Sequence, residues 1–117
     1  MTNPQPLLDA IDWHPVDADV VLVASDEHGV ETARALLATL PADARGTLFL
    51  EAEHLDDLQR VEAPSRFSVR WLVRDRGQSL DAAVDAWLAE MLPTGGATAP
   101  RVYAWVSSRG PARSLTA

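Results

Sequence analysis

The sequence contains no cysteine and no lysine. Without cysteine there is no disulfide, no thiolate metal site and no cysteine nucleophile. Basic charge comes from ten arginines alone, set against 17 Asp and Glu, for a formal net charge of -7. An acidic balance of this kind repels nucleic acid and anionic membranes, so neither is an expected partner. No apolar run approaches the ~20 residues of a membrane-spanning helix. Residues 1–6 lack the basic and apolar regions of a signal peptide. Cytoplasmic residence is the expectation that follows. At 117 residues, with 47% hydrophobic and 23% charged residues, the composition is that of one globular domain.

What is present alternates between two kinds of pattern. Val20-Val21-Leu22-Val23-Ala24 is a continuous apolar run of the kind found in strands covered on both faces. Ser25-Asp26-Glu27-His28-Gly29 follows as a polar turn with helix-capping chemistry. Val30, Ala33, Leu36, Leu37 and Leu40 then fall at helical spacing, and Pro41 stops that helix. A second strand reads Thr47 to Ala52, followed by at most a helical turn around Leu55 and Leu58. The segment Phe67-Ser68-Val69-Arg70-Trp71-Leu72-Val73 alternates, as a strand near a sheet edge does. A second helix carries Leu80, Val84, Trp87, Leu88 and Met91 on one face and ends at Pro93, before a flexible loop over residues 94–100. The fourth strand is Val102 to Val106, and the tail from Ser107 to Ala117 has no strong periodicity.

Strands alternating with helices imply an α/β domain: a mostly parallel sheet between helices on both faces, three layers in all. The expected strand order is third, second, first, fourth, with the most apolar strand central. In such sheets ligands sit beyond the carboxyl ends of the strands, near the point where the order reverses. Here that place is bounded by Ser25, Asp26, Glu27, Glu51, Arg74, Ser107, Ser108 and Arg109, with Arg76 close behind Arg74.

Taken singly, these residues have ordinary readings. The turn after the first strand has one glycine, Gly29, and no G-x-G-x-x-G. Asp26 and Glu27 oppose the attraction of a helix N-terminus for phosphate and suit a simple helix cap. Arg74, Arg76 and Arg109 follow strand ends, where guanidinium groups either bind phosphate or pair with nearby carboxylates. His14, His28 and His54 have no metal-ligand spacing and read as surface histidines. No G-x-S-x-G supports a hydrolase. Trp71, Trp87 and Trp105 fall at core-facing positions, whereas Trp13 is either a docking anchor or a cover for the domain's own surface.

Together, the residues from Asp17 to Arg109 resemble the C-terminal domain of siderophore-interacting proteins, flavin-dependent ferric-siderophore reductases that use NAD(P)H. The first turn of that family reads approximately Gly-Asp-Glu-Thr-Ala-Leu-Pro, where this chain has Ser25-Asp26-Glu27-His28-Gly29-Val30-Glu31. The helix ending Leu40-Pro41, the strand ending in Glu51, Trp71-Leu72-Val73-Arg74 and Tyr103-Ala104-Trp105-Val106 follow in the same order. The resemblance implies a ferredoxin-reductase-like, Rossmann-like nucleotide-binding fold over residues 17–117 after an N-terminal segment, 1–16. It further implies NADPH, bound weakly or no longer bound, with Arg74 or Arg76 near its 2′-phosphate. The family's flavin barrel has no counterpart here, so no FAD is expected in this chain and reduction would call on a separate flavin-containing partner. The chain also departs from the pattern: glycine gives way to Ser25, proline to Glu31, and a fourth-strand Gly-Glu to Ser108-Arg109. These departures leave open a second reading, a non-catalytic interaction module that forms homodimers or binds another protein through its sheet edge and Trp13. A third is a small anion held at Arg109.

Overall fold

The computed structural model describes residues 5–15, 19–92 and 101–115. Its centre is β1, Val20–Asp26, buried from Val21 to Ser25. Side chains alternate across a strand, so Val21 and Val23 enter one core and Leu22 and Ala24 the other. The same alternation divides β2, Arg45–Ala52, into Leu48 and Leu50 on one face and Phe49 on the other. It also divides β4, Val102–Val106, into Tyr103 and Trp105 against Val102, Ala104 and Val106.

Each face is closed by a helix whose apolar stripe matches it. A single 3-10 turn, Glu27–Gly29, leads into α2, Val30–Ala38, which buries Val30, Ala33, Leu36 and Leu37. The Thr39 hydroxyl donates to Leu36 O at 2.7 Å just before Pro41, so the helix ends where the sequence indicated. On the opposite face α3, Leu80–Met91, begins at Ser79, whose Oγ accepts from Ala82 N, and buries Leu80 and Val84.

The sheet order is β3-β2-β1-β4-β5, with β3 spanning Arg66–Val73. The first four strands are parallel and follow the expected order. The fifth, Arg113–Leu115, is antiparallel and lies in the tail that showed no periodicity. Arg113 and Ser114 are exposed and carry no apolar alternation; the partner strand β4 organises them, opposing Val102 to Leu115 and Ala104 to Arg113. The edges of the sheet are therefore β3 and β5.

Residues 5–15 are fastened to the same core. The short helix α1, Gln5–Ile11, had no clear sequence signal, and it packs Leu8 and Ile11 against the α2 side. Asp12 then takes a left-handed conformation (φ 59°), which aspartate tolerates better than most residues, and turns the chain inward. Trp13 is only 6% exposed; it meets Tyr103 edge-on at 5.4 Å and donates from Nε1 to Thr39 Oγ1 at 2.7 Å. Tyr103 completes the lock by donating to Asp12 O and accepting from His14 N, both at 2.7 Å. Trp13 thus covers the domain's own core and is not a docking anchor. Trp105 is buried, and Trp71 and Trp87 are partly buried against the two cores. Pro93, the loop over 94–100, the 16/17 boundary and residues 116–117 lie outside the described residues.

Candidate functional site

The order of the sheet reverses between β1 and β4, and the carboxyl ends of β1, β2, β3 and β4 frame the candidate cleft. The backbone N–H of Ser107 donates to Ala24 O at 2.9 Å, so the chain leaving β4 is held against the end of β1. Ser107 and Ser108 are exposed in that turn.

Ser25 closes β1 with its side chain buried and its Oγ donating to Asp26 O at 2.9 Å. Asp26 caps the following turn, accepting from His28 N at 2.9 Å. Gly29 has an ordinary negative φ (-104°) and is glycine for reasons of space: a Cβ there would lie 2.1 Å from Ser25 Oγ. Gly29→Ala is expected to cost about 1–3 kcal/mol by overpacking. Adding Ser25→Gly should recover most of that loss, and a double-mutant cycle from urea unfolding measures the coupling.

The dominant electrostatic feature is a clamp on Arg74, the first residue of a 3-10 turn after β3. Its Nε donates to Glu53 at 2.7 Å, its Nη1 to Glu51 at 2.7 Å, and its Nη2 to Glu27. Glu51 uses its other oxygen to accept from Leu80 N, the first amide of α3, where a carboxylate also complements the helix dipole. One guanidinium and three carboxylates carry a formal charge of -2, and these bonds hold the Arg74 pKa above its ordinary value. Sequence reasoning had placed Glu27, Glu51 and Arg74 around one cleft, and the structure brings all three into contact. It missed Glu53, although Glu53 stands two residues beyond Glu51 in the same chain direction.

The Arg74 guanidinium holds the Glu27 carboxyl below its usual range, against an opposing effect of burial. Because the folded pKa is the lower one, this stabilisation is present above about pH 4.5 and is lost as pH falls through the folded value. Glu27→Gln should therefore flatten the acid limb of stability, measured as urea midpoints across that range. Glu27 Oε2 is buried and has no hydrogen-bond partner among the described residues.

The other two arginines are elsewhere. Arg109 reaches α3 and pairs with Asp85 at 2.9 Å and Asp81 at 3.2 Å, spaced four apart on the helix. Those carboxylates raise its pKa, and they occupy the guanidinium that the small-anion reading required. Arg76 is exposed. All three histidines are exposed; His54 pairs with Asp75 at 3.0 Å, which raises its pKa. A groove of about 650 Å³ lies elsewhere, between α2 and the segment before β3, with Arg34, Leu37, Leu40, Arg60 and Pro64 on its walls.

A family model described as siderophore-interacting protein matches residues 18–112, most of the chain. The chain belongs to the siderophore-interacting protein family. Ferric vibriobactin reductase ViuB of Vibrio cholerae is 33% identical over 91 residues, 78% of this chain and 30% of ViuB. An uncharacterized protein of Mycobacterium tuberculosis is 37% identical over 65 residues, 56% of this chain and 20% of that protein. This siderophore-interacting-protein domain thus spans only about 30% of the length of ViuB. Two solved structures share its fold. The siderophore-interacting protein SipS from Aeromonas hydrophila has a TM-score of 0.55 at 24% identity, covering 76% of this chain and 37% of SipS. A siderophore utilization protein from T. fusca has a TM-score of 0.57 at 25% identity, covering 77% of this chain and 33% of its own.

Proposed function

We propose that this domain serves the reductant side of ferric-siderophore reduction, holding a nicotinamide dinucleotide at the carboxyl ends of β1, β2 and β4. In this reading it corresponds to the C-terminal, NAD(P)H-binding part of the family's reductases. A bound nicotinamide would supply hydride to a flavin held outside the α/β domain. The observation that carries the reading is a convergence: the family match runs through the point of strand-order reversal, where the chain leaving β4 at Ser107 is held against the end of β1, with Glu27 and Glu51 at the neighbouring strand ends.

The residues fit one part of such a ligand better than another. Ribose hydroxyls are donors, and the half-exposed carboxylate of Glu53 stands at the strand ends as an acceptor. Phosphate fits poorly, since Asp26 and Glu27 stand at the turn where backbone N–H groups would meet it. A 2′-phosphate fits worst: Arg74 is already bound by three carboxylates, and Arg76 alone is left exposed near the strand ends. We therefore favour NADH over NADPH, bound weakly, with a dissociation constant of about a millimolar. Calorimetric titration of the domain with each dinucleotide tests this reading. Saturable binding of NADH supports it, and no heat from either ligand at several millimolar overturns it.

A second reading has its own support. The Arg74 clamp and the buried Ser25 hydroxyl fill the cleft from within, as in a domain that kept the fold and turned to protein partners. If neither dinucleotide binds, this is the reading that remains.

A further inference from the structure

Strand β3 is paired on one side only, to β2; the ends of its outer side are closed by Phe67 N–H donating to Pro64 O and Val73 N–H donating to Gln78 Oε1. Between those ends, the outward N–H and C=O groups around Val69 and Trp71 have no partner among the described residues and can receive a short added strand. The two faces of β3 have different chemistry. Phe67 and Trp71 belong to the α2 side, with Val69 between them 45% exposed. Leu72 belongs to the α3 side, so alternation places Arg66, Ser68 and Arg70 on that side as well, all three exposed. Neither the Arg66 nor the Arg70 guanidinium has an ion-pair partner among the described residues.

From this pattern we propose that β3 is a docking edge for an extended segment of another protein in which acidic and apolar residues alternate. Such a segment would extend the sheet by one strand, setting carboxylates opposite Arg66 and Arg70 and apolar side chains beside Phe67, Val69 and Trp71. The proposal is independent of the dinucleotide cleft, which lies at the strand ends.

The charges argue against a second copy of this chain as the occupant. Two-fold self-pairing centred on Val69 would oppose Arg70 to Ser68 and bring the two Arg70 side chains onto a diagonal of about 7 Å, a like-charge contact on the arginine face. Arginine on an edge strand discourages self-pairing, and an acidic strand converts the same residues into partners.

The test uses the chain with two blocked ten-residue peptides, one alternating Glu and Val and the other alternating Lys and Val, followed by backbone amide shifts. The Glu peptide is expected to perturb residues 66–73 and to bind at least about tenfold more tightly than the Lys peptide. Arg66→Glu/Arg70→Glu should reverse that preference. Should this variant fold poorly, the salt dependence of the unmodified chain serves instead: added sodium chloride must weaken the Glu peptide. Equal binding of the two peptides, shifts centred away from β3, or salt-independent binding overturns the proposal. So does a concentration-dependent shift of β3 amides without peptide, which would mark self-association.

Discussion

Gly46→Ala is expected to lower the urea midpoint of unfolding by about 2 M, a loss of about 3 kcal/mol or more. Gly46 lies opposite Val21 where β1 and β2 pair. A Cβ there would stand 2.0 Å from the Val21 carbonyl oxygen and 2.6 Å from the Phe67 ring. The ring can rotate or shift, but the carbonyl belongs to the central strand and moves only if the β1–β2 pairing moves with it. Gly77 is the control. It caps the turn after Arg74 in a left-handed conformation (φ 76°) with nothing within 4 Å of a built Cβ. Gly77→Ala therefore meets only the backbone penalty, about 1 kcal/mol. Urea unfolding of the two variants side by side separates a steric glycine from a conformational one.

The second large effect concerns the 2′-phosphate. NADPH brings about two more negative charges than NADH, and the Arg74 cluster already carries a formal -2. At a separation of a few ångströms, and after solvent screening, that repulsion corresponds to about a tenfold preference for NADH. Glu27→Gln/Glu53→Gln removes two negative charges while leaving amide oxygens to accept from Arg74. It should raise NADPH affinity about tenfold and change NADH affinity much less, as read by calorimetry. Glu51 is the wrong residue for this experiment, because it also caps α3 through Leu80 N. An unchanged NADPH to NADH ratio in the double variant would place the 2′-phosphate away from Arg74.

What the sequence revealed, it revealed through periodicity. The apolar run of β1, the stripe Val30, Ala33, Leu36 and Leu37, and the face Leu80 and Val84 each report burial on a known side, and the parallel crossovers then place the most apolar strand at the centre. Elements organised by their neighbours left no such trace. Strand β5 is three residues long and two of them are exposed, so β4 supplies its pattern. Helix α1 is seven residues, too short for a full amphipathic stripe, and the significance of Trp13 depends on Thr39 and Tyr103, which are distant in sequence. The site was legible as a place but not as a set of bonds. Position after a strand end located Arg74 and Arg109, but not that one takes three carboxylates and the other turns to Asp81 and Asp85. Those partners come from the end of β2 and the residue just after it, the turn after β1, and the outer face of α3, and only the packed sheet brings them within reach.

The central claim is that a dinucleotide occupies the carboxyl ends of the strands. Titration of the isotope-labelled chain with NADH, followed by backbone amide shifts, tests it most directly. The account predicts saturating shifts that cluster at Ser25 to His28, Glu51 to Glu53, Arg74 and Ser107 to Ser108. Unmoved amides at several millimolar NADH, or shifts confined to the groove between α2 and β3, would contradict it.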